Sequence, residues 1–267
     1  MKTTEPVVIP SEWVSLRRFT DARIALGRAG HSVPTEAHLN FQLAHAQARD
    51  AVHLPLDAIG VAQSIQALGF STLALHSAAI DRHTYLQRPD LGRKLDARSL
   101  KAMGDWKATH EKGAQFDVSF VIADGLSALA IHQNAVPFFS AVVALLRDDA
   151  HCEWTIAPVA VVEQGRVALA DEIGEILRAN ATVILIGERP GLSSPDSMGV
   201  YLTWEPKVGR NDSQRNCISN IRTAGLSADT AAAKLHHLLT RSRMLGLTGI
   251  ALKDDTGDLA EDRLSAL

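Results

Sequence analysis

Cysteine is scarce in this chain of 267 residues, where only Cys152 and Cys217 occur. They form no CxxC, so neither a disulfide framework nor a thiolate zinc site is suggested. Aromatic residues are few, at 5%, while Ala and Leu are abundant, a balance that favours helices. No run reaches the roughly 18 uninterrupted apolar residues of a spanning helix. The start, Met1-Lys2-Thr3-Thr4-Glu5-Pro6, lacks a basic segment followed by an apolar one. A soluble cytoplasmic protein with no membrane partner is expected. Charge of one sign is also missing: the formal net charge is −3, which gives no bulk reason to expect nucleic acid as a partner. GxGxxG, the GxxxxGK phosphate loop, HExxH and GxSxG are all absent, which weakens nicotinamide, nucleotide, zinc-protease and hydrolase readings.

The segments that are present read as follows. Residues 1–15 contain two Pro and no helical period, and are expected to form an extended arm. Pro34-Thr35-Glu36 opens a helix that runs to about His53, with Pro55 as its stop. Phe41, Ala44, Ala48 and Val52 form its apolar stripe; His38, Gln42, His45 and Arg49 form a polar stripe, either solvated or facing another subunit. Helices are expected at 58–69 and 71–87, and a charged loop from Pro89 to about Gly104. Strands are expected at 117–123, 156–163, 182–186 and 200–204, with helices between them and Pro137 breaking or restarting one. A long loop, 205–225, precedes a helix at 227–245 and a short strand at 249–252. Alternating β and α segments with continuous Val/Ile/Leu strands predict an α/β fold. Its core is a Rossmann-like parallel sheet at 111–267, behind an N-terminal helical region at 1–110.

The chemistry concentrates in one loop, Gly187 to Gly199 (GERPGLSSPDSMG), after the apolar run Val183-Ile184-Leu185-Ile186. In open α/β sheets ligands bind off the carboxyl ends of strands, and Gly lets a ligand approach the backbone closely. Glu188 is the acid nearest the strand. It reads either as a ligand contact or as a surface ion pair with Arg189. Asp124-Gly125-Leu126-Ser127 sits at a strand-to-helix turn, where Ser or Asp caps a helix or meets a ligand. Cys217 reads as a small buried thiol, and Val167 as the start of an apolar helix. His236 and His237 are adjacent and point to different helix faces, which argues against a metal pair. No matched nucleophile and base stands out. A free-standing Rossmann-like enzyme that binds a nucleotide or phosphate remains an alternative, resting on the Asp124–Ser127 turn.

From about Leu16 to Asp254 the chain resembles the small subunit of ethanolamine ammonia-lyase, an adenosylcobalamin-dependent radical enzyme. The resemblance is carried by RFTDARIALGRAG (Arg18 to Gly30), FQLAHAQARDAVH (Phe41 to His53), IADGLSA (Ile122 to Ala128), the Gly187–Gly199 loop and RNCISNIR (Arg215 to Arg222). The N-terminal lead is shorter than in some members, so contacts of a longer extension are not carried over. The resemblance implies a partner, the large barrel-type subunit, with adenosylcobalamin held between the two chains. It implies cofactor contacts at Val167, Glu188 and Cys217, and no catalytic residue or metal ligand in this chain. The implied reaction turns ethanolamine, held mainly by the large subunit, into acetaldehyde and ammonia, with the cofactor's cobalt–carbon bond as the radical source. It also raises the expectation of packaging in a bacterial microcompartment. The base stays on cobalt in this family. Consistently, Asp149-Ala150-His151 is followed by Trp154 where a base-off Asp-x-His-x-x-Gly motif needs Gly.

Overall fold

A computed structural model describes residues 7–110, 115–150 and 152–254. Residues 1–6 of the expected arm, residue 111 at the expected boundary, His151 and residues 255–267 lie outside the described residues.

Among the described residues, six strands make one sheet in the order β1-β3-β2-β4-β5-β6. They are β1 (Thr72–His76), β2 (Phe116–Ala123), β3 (Val159–Glu163), β4 (Ala179–Gly187), β5 (Met198–Trp204) and β6 (Arg215–Ile221). β1, β3, β2 and β4 are mutually parallel, whereas β4–β5 and β5–β6 are antiparallel. The fold is therefore mixed α/β with a mostly parallel sheet, which corrects the all-parallel expectation. Two reversals in succession leave β6 running the same way as β4. The carboxyl ends of β3, β2, β4 and β6 thus share one edge of the sheet.

The central strands are Val- and Ile-rich because helices cover both of their faces. Val118, Phe120 and Ile122 of β2 point into one core; Val121 and Ala123 point into the other. The first core is closed by α2 (Ala58–Ala67), α5 (Ala128–Arg147) and α7 (Ala228–Leu245). The second is closed by α4 (Ala97–Thr109) and α6 (Leu169–Leu177). Side-chain caps start several of these helices: Asp57 for α2, Asp96 for α4, Ser127 for α5 and Ser227 for α7. Each accepts a bond from one of the otherwise unpaired first-turn amides.

Several expectations need correction. The expected helix 71–87 is β1 followed by the short α3 (Arg82–Gln87). Thr72-Leu73-Ala74-Leu75-His76 is rich in good helix formers; pairing with β3 overrides that preference. The expected loop at 89–104 holds the start of α4, and the expected loop at 205–225 holds β6. The expected strand at 249–252 is a 3-10 turn, Gly249–Ala251. α5 runs unbroken through Pro137, with Phe138, Phe139 and Val142 fully buried beside it, so packing outweighs the lost backbone bond. On α1 (Thr35–His53) the buried residues are Ala44, Ala48 and Ala51; Phe41 is exposed.

Candidate functional site

The carboxyl edge of the sheet is built by close backbone contact. Leu126 N–H donates to the Gly187 carbonyl at 2.9 Å. A Cβ on Gly187 would lie 2.1 Å from the Ser127 carbonyl oxygen, so β4 can end against the β2 turn only with Gly there. The Gly187–Gly199 loop is then tied down by outside donors. Ser127 Oγ donates to the Pro195 carbonyl (2.7 Å) and Asn134 to the Asp196 carbonyl (3.0 Å). Arg222 reaches the Ser193 carbonyl (3.2 Å), and Arg23 of the N-terminal segment reaches the Leu192 carbonyl (3.3 Å).

Glu188 points away from these ties. Its carboxylate accepts from Ser197 Oγ (2.5 Å), Ser219 Oγ (2.5 Å) and the Asn220 N–H (3.3 Å). The expected ion pair with Arg189 is not what holds it. Its partners come from β5 and β6, and an irregularity in that pairing brings them within reach. Met198 pairs with Ile221 and Val200 with Ile218, so Ser219 and Asn220 together oppose Gly199. Such a bulge re-aims side chains at a sheet rim. Asn220 takes a left-handed conformation (φ 61°) to make the turn, one that Asn tolerates. Gly199 completes the arrangement, since a Cβ there would lie 2.8 Å from Glu188 Oε1.

Cys217 is one step back along β6. It is exposed, not buried as the sequence suggests. Ile218 and Ile221 face the α7 core, so Cys217 and Ser219, both exposed, face the opposite side of β6. Antiparallel additions, unlike βαβ units, need no crossover helix and can leave a face open. Loss of hydration around its sulfur pushes the Cys217 thiol up, the Tyr201 hydroxyl bond offsets part of this, and Glu188 adds to the rise. The thiol therefore stays protonated at neutral pH. Tyr201, directly opposite Cys217 in register, is also raised, first by burial and then by Cys217. Tyr201 in turn lines a cavity of about 630 Å³ together with Val167, which stands just before α6. Glu188, through Ser219, then Cys217, Tyr201 and Val167 thus form a strip that leads along this side of β5 and β6 to the cavity.

Two buried ion pairs frame the strip. Arg215 of β6 grips Asp171 of α6 through two bonds of 2.7 and 2.6 Å, with both side chains almost fully buried. Asp124, 2% exposed, takes the Gly165 N–H (3.2 Å) and Arg82 (3.4 Å). Burial pushes its carboxyl up to about 6, against the pull of Arg82 and the Gly165 and Gln164 amides. Ser127 is the α5 cap, so the polar groups of the Asp124–Ser127 turn are occupied internally. His236 pairs with Asp149 (3.3 Å), and the His38/Gln42/His45/Arg49 stripe is exposed. Sequence reasoning singled out the loop that holds Ser197 and Gly199 and the run that holds Ser219 and Asn220, but not the bonds they make, and it missed Tyr201.

The fold and this edge define a mixed α/β protein whose sheet rim carries a fixed carboxylate beside a cavity. The family model described as ethanolamine ammonia-lyase light chain matches residues 10–253. The chain is 53% identical to the ethanolamine ammonia-lyase small subunit of Pseudomonas fluorescens, over 94% of this chain and 89% of that protein. It is 55% identical to that of Pseudomonas syringae pv. tomato (91% and 83%) and 54% to that of Ralstonia nicotianae (94% and 91%). The chain belongs to the ethanolamine ammonia-lyase light-chain family.

Proposed function

We propose that this chain is the cofactor-seating small subunit of an adenosylcobalamin-dependent ethanolamine ammonia-lyase, which converts ethanolamine to acetaldehyde and ammonia. The observation that carries the reading is the Glu188–Cys217–Tyr201–Val167 strip along one side of β5 and β6, in a chain of this family. The parallel strands β1-β3-β2-β4 are read as a Rossmann-like half, with the β5–β6 addition supplying the seat.

The residues present fit a corrin. A corrin is broad and flat with amides on its rim, and Ser219 and Cys217 present small exposed side chains beside Glu188. A carboxylate has about four acceptor positions. Three on Glu188 are filled from within, which leaves one for a rim amide N–H. When bound, adenosylcobalamin supplies the radical that starts the reaction. The work of this chain is to bind and orient: Glu188 accepts a rim amide, while Val167 and Cys217 contribute backbone groups and surface. Holding a cofactor at a fixed orientation is a substantial share of catalysis.

The substrate and the rest of the pocket are assigned to the large subunit. Trp13, Phe19, Leu39 and Leu43 are all more than half exposed, an apolar surface of the kind a partner covers. A cytoplasmic setting, with packaging in a microcompartment, belongs to the same proposal. The nucleotide- or phosphate-enzyme alternative loses its footing, because Asp124 and Ser127 are spent on structure. Co-expression with the cognate large subunit tests the reading: ethanolamine deamination should require both chains. Equal deamination with and without this chain would overturn it.

A further inference from the structure

The cavity beside Val167 and Tyr201 is basic. Arg93, Lys94, Arg166 and Arg210 line it, against the two carboxylates Glu172 and Asp212. Glu172 is engaged by the Leu95 N–H at 2.8 Å, whereas Asp212 is solvent-exposed at the rim, 3.6 Å from Arg215 Nε. Arg210 leans on the Glu205 carbonyl (3.1 Å). Arg166 is fixed: its guanidinium lies over the Tyr85 ring (4.2 Å from the centroid) and donates to the Tyr85 carbonyl (3.1 Å). Its buried Nε has no acceptor among the described residues. The first turn of α6 adds donors. Leu169, Ala170 and Asp171 N–H are bonded to the carbonyls of Arg166, Val167 and Ala168, while no acceptor among the described residues meets the Val167 and Ala168 N–H groups.

Free amides at a helix start, beside guanidinium groups, favour an anion, a phosphate among them. The side chains of a corrin rim are neutral amides. The anionic substituent of cobalamin is the phosphodiester that links its nucleotide tail. We propose that this cavity is a phosphate subsite that holds that phosphodiester, with Arg166 and Arg93 as its principal cations and the Val167–Ala168 amides as its backbone donors. The proposal rests on the cobalamin-seating reading above and extends it from the ring to the tail. It also gives Val167 a role through its N–H, which no property of a valine side chain supplies. The cavity is large enough for a phosphate with its attached sugar, and it adjoins the proposed corrin seat through Tyr201.

The test uses the complex with the large subunit and reads binding by absorbance titration, not turnover. Three ligands are compared: cobalamin, cobinamide phosphate, which keeps a phosphate but lacks the base, and cobinamide, which lacks both. Arg166→Gln and Arg93→Gln are each measured. Arg93 is exposed, so its variant keeps the test informative if Arg166→Gln fails to fold. The expected result is a loss of about ten- to hundredfold for cobalamin and cobinamide phosphate, the scale of a charge-assisted hydrogen bond, with cobinamide unchanged. Equal losses for all three ligands, or none for cobinamide phosphate, would overturn the phosphate subsite while leaving the cobalamin reading intact. Failure of the wild-type complex to bind cobalamin would remove both.

Discussion

The Arg215–Asp171 pair links β6, which carries Cys217, to α6, whose first turn follows Val167. Its removal is therefore expected to damage both stability and the seat. Arg215 makes two bonds to Asp171, one to Thr203 Oγ1 (2.8 Å) and one to the Arg210 carbonyl (2.9 Å). Arg215→Met strips all of these and leaves a buried carboxyl. Breaking a buried pair from one side costs about 3–5 kcal/mol, or roughly 6–20 °C in melting temperature for a domain of this size. Urea unfolding of the purified subunit, read at constant slope, measures it. Asp171→Leu should cost a similar amount, because it strands the guanidinium. The double variant should cost less than the sum of the two, since neither charge is then buried alone.

The same pair predicts a pH dependence. Burial already raises the Asp171 carboxyl, and Arg215 pulls it back down. Without Arg215 the folded-state value moves higher still. A carboxyl raised on folding stabilises most below its unfolded pKa, and that stability is lost as pH rises through the folded value. The Arg215→Met penalty should therefore grow as pH rises above the ordinary carboxylate range. A penalty under about 1 kcal/mol, or fully additive single variants, would refute the view that this pair holds β6 to α6.

Glu188→Ala should weaken cobalamin binding to the two-chain complex by about 1–3 kcal/mol, the cost of leaving a rim amide unpaired in the closed site; an unchanged titration would count against direct contact. Gly199→Ala should weaken it in the same direction without altering the circular dichroism spectrum, because its Cβ displaces a carboxylate fixed by Ser219 and Ser197. Wild-type affinity there would mean that Glu188 moves freely. Asp124→Asn addresses the frame. With the folded carboxyl at about 6 and an ordinary value of 3.8, wild type should lose stability relative to the variant as pH rises from about 4 to about 6. The gap of about two pH units bounds that loss at roughly 3 kcal/mol. A flat difference curve from urea unfolding would contradict it.

How much of this was legible depends on what each residue had to reveal. β2 and β4 could be read because strands buried on both faces become near-continuous Val and Ile. β1 could not, because Leu and Ala do not distinguish a strand from a helix until β3 is beside them. β6 hid for a different reason. Its two buried Ile are three apart, which is not a strand period, and the bulge that makes this possible is a property of the pairing with β5. Glu188 stood out as an acid near a buried strand, but its partners lie 9, 31 and 32 residues away. Val167 and Cys217 carried no chemical signal at all. Only resemblance to a family singled them out.

The loop from Gly187 to Gly199 shows how composition and geometry can assign different tasks to one segment. Its Gly, Pro and Ser predict a cradle whose polar groups face a ligand. In the fold, the carbonyls of Leu192, Ser193, Pro195 and Asp196 are taken by Arg23, Arg222, Ser127 and Asn134. Groups so engaged stiffen a wall and have little left for recognition. The loop's two ends remain: Glu188, aimed toward Ser219 of β6, and Gly199, whose missing side chain lets it aim there. The proposed seat therefore consists of the rows of β5 and β6 beside the loop, which the loop braces. That distinction makes a separable demand. Weakening the brace through Asn134→Ala should cost stability and leave cofactor affinity, per folded molecule, close to wild type. Glu188→Ala should do the reverse. Identical profiles for the two variants, in paired urea-unfolding and binding measurements, would show that brace and seat are one unit.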